Sequence, residues 1–159
     1  MMLMLSKNFS ANEMSRSEYA IRHGIVNVAD ATVLARQTRL CTVVLEVVRS
    51  FFGLPVIVTS GYRCPQVNGG VGGTKTSQHL TGEAADFTVP GVSNLAVCRL
   101  MLKERVPFDQ LIYEFGEDGW VHVSHSVDGE QRGGTMRADW VKGLKTYSAW
   151  NFTGDWPRR

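Results

Sequence analysis

The pattern of apolar and polar residues in the first third of the chain predicts two helices. Residues 9–24 have polar capping residues near the start and Gly24 at the end, which is typical of a short helix. Asp30 is suited to cap a longer helix over residues 31–52, which Gly53 ends. In this second helix a polar stripe lies opposite apolar positions that recur at helical spacing, namely Leu34, Leu40, Cys41, Val44, Leu45, Val48 and Phe52.

The pattern changes after Gly53. Runs rich in β-branched and aromatic residues predict four strands, over residues 54–60, 83–89, 108–115 and 119–125. The last two are joined by a turn and form a hairpin, and Ser93 begins a helix between the second and third strands. Residues 61–82 form a long polar, glycine-rich loop, a kind of segment that is usually functional or disordered in a compact domain. These elements predict an α+β fold, with helices covering one face of an antiparallel sheet. Residues 131–159 have no clear prediction.

Length and composition narrow the class of protein. The 159 residues suit one domain, which we place at 1–159, and the net charge of +2 is too small to imply a nucleic-acid partner. The three cysteines are too widely spaced for a disulfide framework or a thiolate zinc finger, and Cys41 and Cys98 are expected to be buried in helices. The apolar run at the start is too short for a signal peptide or a membrane span. We therefore expect no membrane insertion and synthesis in the cytoplasm, and we take the protein to be a monomer.

Candidate chemistry begins in the segment "SQHLTGEAADF", residues 77–87. Histidine and aspartate are both zinc ligands, and Gly82 would allow the chain to turn back between His79 and a strand that carries Asp86. A mononuclear catalytic site needs a third protein ligand and an open position for water. His122, in the last predicted strand, is the candidate for the third ligand. Taken alone, one histidine near one aspartate is more often an ordinary pair of polar loop residues.

The wider pattern resembles a known family. Ser77, His79, Gly82, Ala84 and Asp86 match the SxHxxGxAxD motif of the M15 zinc D-Ala-D-Ala carboxypeptidases and endopeptidases. The upstream segment "GLPVIVTSGYRCPQVNGGVGG" is similar to that family's strand and loop, and "FDQLIYEFGEDGWVHVSH" is similar to its last zinc-binding hairpin. The resemblance covers about residues 5–125, and its N-terminal part is similar to phage and prophage members of the family. It implies the fold that Hedgehog signalling domains share with DD-peptidases.

The resemblance implies Zn²⁺ as the cofactor, with His79, Asp86 and His122 as its ligands and Glu114 as the general base. In some members the base lies three residues before the last histidine, and Gly119 occupies that position here. The turn acids Glu117 and Asp118 therefore remain alternatives for the base. Alternation along a strand places His122 and Ser124 on one face and turns His125, an alternative ligand, to the other face.

Three further residues are candidates for holding the substrate. Arg63 and Ser77 match positions that bind the peptide in the family, and an arginine can bind a carboxylate through two parallel hydrogen bonds. The alternatives are a surface salt bridge for Arg63 and bracing of the loop for Ser77. Trp120 could form a wall of the cleft, and a place in the core or in an interface is an equal alternative.

The expected function is hydrolysis of peptide bonds in peptidoglycan stem peptides by a zinc peptidase. An endopeptidase of a phage or prophage lysin fits a chain without an export signal, since such an enzyme acts on the wall after release or delivery. The alternatives are a D,D-carboxypeptidase and a zinc-containing wall-binding or phage structural module without turnover, because a fold does not guarantee its chemistry.

Overall fold

The computed structural model of the protein describes residues 2–153. The helices in this range are α1 (Ala11–Ser15), α2 (Glu18–His23), α3 (Ala31–Leu40), α4 (Glu46–Phe52), α5 (Pro65–Gly70) and α6 (Asn94–Lys103). The strands are β1 (Ile57–Ser60), β2 (Ala84–Thr88), β3 (Gln110–Glu114), β4 (Trp120–Ser124), β5 (Gly134–Val141) and β6 (Leu144–Ala149). None of the helices in residues 2–153 is long and apolar enough to cross a membrane.

The segment predicted as one N-terminal helix is two helices. The Ser10 hydroxyl accepts a hydrogen bond from the Glu13 amide, and the Ser17 hydroxyl accepts one from the Ala20 amide. Each serine therefore caps its own helix, and the second cap interrupts the first helix. Gly24 ends α2 in the left-handed conformation, with φ of 63°, as expected for a helix terminator.

The long second helix is confirmed. The Asp30 carboxylate caps it by accepting a hydrogen bond from the Val33 amide at 2.8 Å, and Gly53 ends it with φ of 63°. Helices α3 and α4 are joined without a break by one π-helical turn, Cys41–Leu45. The periodic pattern predicted a continuous helix and gave no sign of this wider turn.

The sheet has six strands in the order β1-β2-β4-β3-β5-β6. All neighbouring pairs are antiparallel except β3 and β5, which run parallel. The predicted β3–β4 hairpin is present, and β2 lies on its free side with Asp86 opposite His122. The tail that had no prediction supplies the hairpin of β5 and β6, which extends the sheet on the other side of β3.

The two faces of the sheet have different surroundings. One face packs on the long helix and α6 to form the core, through Ala85, Phe87, Leu111, Tyr113, Val121 and Val123. Cys41 and Cys98 are buried in this core, as expected, and burial raises the pKa of the Cys41 thiol to about 12, which makes it chemically inert. Because side chains alternate along a strand, Asp86, His122 and Glu114 share the opposite face.

Candidate metal centre

His79 is presented by a short turn at the end of the glycine-rich segment. Residues Gln78–Thr81 form a 3-10 turn, and the Ser77 hydroxyl accepts a hydrogen bond from the His79 amide at 3.4 Å. Gly82 ends the turn with φ of 77°, and a Cβ at this position would lie only 2.8 Å from the Val33 side chain. Glycine is therefore required at this position both by the backbone conformation and by the close approach to α3.

The His79 ring is fixed in one tautomer by the backbone. Its Nδ1 lies 2.6 Å from the carbonyl oxygen of Gly61. Since a carbonyl only accepts, Nδ1 carries the hydrogen, and the lone pair of Nε2 is free on the other side of the ring. A histidine whose second nitrogen donates to a carbonyl in this way is typical of a metal ligand.

Three donor atoms converge at this point. His79 Nε2 lies 3.3 Å from Asp86 Oδ1 and 3.3 Å from His122 Nδ1, and His122 Nδ1 lies 2.8 Å from Asp86 Oδ1. Within residues 2–153 these side chains form the one group of this kind that could hold a metal ion. A tetrahedral zinc with bonds of about 2.0–2.1 Å separates neighbouring ligand atoms by roughly 3.3 Å. The two longer distances already match that value, so the residues present fit the metal.

The electrostatics of the group also suit a cation. All three side chains are buried. Burial lowers the pKa of His79, which keeps its ring neutral and able to coordinate. Burial alone would raise the pKa of Asp86, but its electrostatic interactions with His79 and His122 hold it well below its usual range. The aspartate is therefore a carboxylate, and the group offers one negative charge and two imidazole nitrogens.

Arg63 contacts the second oxygen of the same aspartate. Its Nη2 lies 2.6 Å from Asp86 Oδ2, its Nε donates to the Ser60 hydroxyl at 2.8 Å, and only 16% of its side chain is exposed. This contact leaves Oδ1 turned toward the two histidines. The arginine therefore orients a candidate ligand, a placement that the sequence did not suggest, and its binding to substrate stays a prediction.

Glu114 lies at the edge of the group. Its Oε1 is 4.0 Å from His122 Nδ1, its side chain is only 5% exposed, and its Oε2 accepts a hydrogen bond from the Lys145 ammonium at 2.9 Å. Although burial opposes it, hydrogen bonds to Tyr147 and Glu114 raise the pKa of Lys145, so this lysine is charged. A nearly buried carboxylate thus has a cation on one oxygen and the candidate ligands near the other.

The turn acids of the β3–β4 hairpin occupy other environments. The Glu117 carboxylate accepts hydrogen bonds from the amides of Asn94 and Leu95 and from the Tyr113 hydroxyl. It therefore helps to cap the start of α6. Both Glu117 and Asp118 are exposed to solvent. A Cβ at Gly119 would collide with the carbonyl oxygen of Glu114, so this tight turn requires glycine and has no room for an acid at residue 119.

The remaining predicted residues are spread around the group. Ser77 braces the turn that carries His79. The Trp120 and Phe115 ring centres lie 5.3 Å apart with 70° between the ring planes, and the Trp120 indole N–H is buried without a hydrogen-bond partner in the described range. His125 is buried outside the three-residue group, and its amide donates to the Glu83 carbonyl.

Sequence reasoning missed the contribution of the C-terminal hairpin. Lys145 lies on β6, more than thirty positions from Glu114 along the chain, in a segment with no prediction. One signal was present, since Lys142 and Gly143 separate two β-prone runs and both adopt positive φ, of 51° and 78°. A two-residue turn of this kind is typical of a hairpin. The contact between Lys145 and Glu114 depends on the parallel pairing of β5 with β3, and no local sequence pattern predicts that pairing.

Comparison with known proteins identifies the family of the chain. No curated protein sequence matches the chain. The family model described as Peptidase M15 matches residues 7–124, which is well over half of the chain and contains all three candidate ligands and Glu114. The chain therefore belongs to the Peptidase M15 family, whose members are metal-dependent peptidases.

Proposed function

We propose that the protein is a zinc peptidase that hydrolyses peptide bonds in the stem peptides of peptidoglycan. The observation that carries the proposal is the convergence of His79, Asp86 and His122 beside the carboxylate of Glu114. The substrate class rests on the resemblance of the motif from Ser77 to Asp86 to the zinc D-Ala-D-Ala peptidases, and membership of the M15 family agrees with it.

The donor set favours zinc over other metals. Two imidazole nitrogens and one carboxylate oxygen suit Zn²⁺, and three protein ligands leave an open fourth position, which is typical of catalytic rather than structural zinc. Zinc bound here would lower the pKa of water to about 7 and polarise the carbonyl of the scissile bond.

The side chains around the group then have distinct tasks. Glu114 accepts a proton from the attacking water and delivers it to the leaving amine, which is general acid–base catalysis. The Gly61 carbonyl and Arg63 keep His79 and Asp86 in their coordinating orientation. Trp120, on the same hairpin as Glu114, would form a wall of the cleft.

Two other contacts with substrate are part of the proposal. Arg63 uses Nη2 and Nε for Asp86 and Ser60, so it would bind a substrate carboxylate through its remaining guanidinium hydrogens. The Ser77 hydroxyl would bind the peptide next to the turn that it braces. We further propose an endolysin-type endopeptidase that reaches the wall after release from the cytoplasm.

Hydrolysis of purified cell wall tests the proposal. Zinc-loaded protein is incubated with purified sacculi, and mass spectrometry identifies the peptides released. New amino and carboxyl termini within the stem peptide support an endopeptidase, and release of a single terminal D-alanine supports a D,D-carboxypeptidase. Glu114→Gln is the matched inactive control. Metal-loaded protein that binds sacculi and cuts nothing would instead indicate a wall-binding module.

A further inference from the structure

The C-terminal hairpin of β5 and β6 lies outside the residues matched by the family, and yet it reaches the candidate base. Lys145 Nζ lies 2.9 Å from Glu114 Oε2. The lysine side chain is 34% exposed and the glutamate side chain 5%. The nearly buried Glu114 carboxylate is therefore paired with a cation that is itself partly exposed, and burial of an unpaired carboxylate would be costly.

Lys145 is held in place by aromatic rings. Its ammonium lies 5.1 Å from the ring centre of Phe115 and 5.0 Å from that of Tyr147. Trp140 stacks on Phe115 at 5.3 Å with only 14° between the ring planes. Cation–π contacts of this length are attractive and restrict a side chain that is mobile on most surfaces. Lys145 therefore has a built environment, unlike a lysine that swings freely into solvent.

The backbone fixes the hairpin against Glu114 as well. Strand β5 pairs with β3 in parallel up to Glu114 itself, which lies opposite Ala138. The next amide, of Phe115, donates to the Ala138 carbonyl at 3.0 Å. At the other end of β5, Arg132 forms an ion pair with the buried Asp109, whose carbonyl also accepts from the Gly134 amide. The position of Lys145 thus follows from pairing along the whole strand.

The two oxygens of Glu114 are differentiated by this contact. Oε2 is bound by Lys145, and Oε1 is the oxygen that lies 4.0 Å from His122 Nδ1. Rotation of the carboxylate about its terminal bond would break the contact at 2.9 Å. A base works best when its free oxygen is already directed at the proton that it will accept.

We infer that Lys145 is a positioning residue for the reaction, which holds Glu114 Oε2 so that Oε1 faces the group of His79, Asp86 and His122. The inference rests on the proposed function, since it gives Glu114 the role of base. It assigns to the C-terminal hairpin a part in the reaction of this chain that the family-matched segment does not supply.

Steady-state kinetics of wall-peptide hydrolysis test this inference with three variants. Lys145→Met keeps the aliphatic length and removes the ammonium, so kcat should fall by about 10- to 100-fold, the scale of a misplaced catalytic group, with KM nearly unchanged. Lys145→Arg retains a charged donor and should recover most of kcat. Lys142→Met removes the same charge from the turn of the same hairpin and should match the wild type.

A second measurement does not depend on activity. Thermal unfolding of the metal-free protein is compared for the wild type, Lys145→Met, Glu114→Gln and the double variant. Because Lys145→Met leaves a buried carboxylate unpaired, its Tm should fall, and the fall should be much smaller when residue 114 is already glutamine. Equal shifts in both backgrounds would show that the two side chains do not interact.

The possible results separate this inference from the proposed function. A Lys145→Met protein with wild-type kcat overturns the positioning role and leaves the peptidase proposal intact. An increase in KM with unchanged kcat also overturns it, because that pattern indicates a contact with substrate. A wild-type protein that cuts no wall peptide overturns both proposals.

Discussion

Glu114 is approached by two parts of the sheet that are built very differently. On one side, β2 and β4 carry Asp86 and His122, whose side chains are buried with His79 in a network closed by Gly61 and Arg63. On the other side, β6 carries Lys145 on an edge strand with exposed side chains. The first part carries all three candidate metal ligands, and the second carries none of them. The hairpin contributes one side-chain contact to Glu114, from Lys145, so we expect it to adjust the proposed base and not to create the metal site.

The largest effect is expected from removal of a ligand on the buried side. His122→Ala should abolish stoichiometric zinc, because two protein ligands hold the ion much less tightly than three. His125→Ala, a buried histidine outside the group, is the matched control and should retain one zinc per chain. Elemental analysis of the two purified proteins measures this. Full zinc retention by the His122 variant would show that the buried network is not the metal site.

The next largest effect is expected at Glu114, which lies between the candidate metal ligands and the C-terminal hairpin. Glu114→Gln keeps the shape of the side chain but cannot accept a proton, so hydrolysis should fall by about 10²- to 10⁴-fold while zinc content stays near one. Asp118→Asn, in the exposed turn, should remain active. Rates on one soluble wall peptide provide the comparison.

Glu117→Gln distinguishes a structural acid from a catalytic acid. Its carboxylate caps α6, so this variant should lose thermal stability and keep its activity at a permissive temperature. Loss of activity at full stability would place the base in the turn.

Arg63→Met tests whether the Arg63 guanidinium holds Asp86 in the orientation that a metal ligand needs. Without the guanidinium, Asp86 loses the partner that orients its second oxygen, and zinc affinity should fall by about 10- to 100-fold, as for other partners of metal ligands. Competition with a chromogenic chelator measures the affinity. If affinity is unchanged and only KM increases, Arg63 acts on substrate alone.

The smallest effect is expected from the ion pair of Arg132 with Asp109, which lies next to the start of β5. A hydrogen bond from Arg132, which outweighs the effect of burial, lowers the pKa of Asp109 from 3.8 to about 2. Because the folded-state pKa is depressed, this pair stabilises the fold above about pH 4, and the contribution is lost as the pH falls toward 2. Arg132→Gln should therefore lower Tm modestly at pH 7 and flatten its decrease between pH 4 and 2. Identical pH profiles for the variant and the wild type would contradict this.

The sequence predicted the buried side more fully than the hairpin for a physical reason. His79, Gly82 and Asp86 lie within one short segment, where the turn and the strand are local, and the β3–β4 hairpin that presents His122 is local as well. The family match confirms an M15 peptidase, and the structure confirms an α+β fold with a largely antiparallel sheet. The assignment of zinc and of Glu114 as base stays a prediction.

Other features were missed either because local signals compete or because the contacts are long-range. The break between α1 and α2 follows from a second serine cap within a segment of helical composition. The short helix α5 lies in a stretch whose glycines favoured a loop. The Arg63 contact with Asp86 and the Lys145 contact with Glu114 require β1, β2, β3 and β6 to assemble first.

A crystal structure of the zinc-loaded protein, with anomalous data collected at the zinc edge, tests the central claim most directly. The account predicts one anomalous peak per chain, bonded at about 2.0–2.1 Å to His79 Nε2, Asp86 Oδ1 and His122 Nδ1. Glu114 should lie beside the ion without coordinating it, with Lys145 still on its second oxygen. A peak at other residues, or no peak in a protein that hydrolyses wall peptides, would contradict the account.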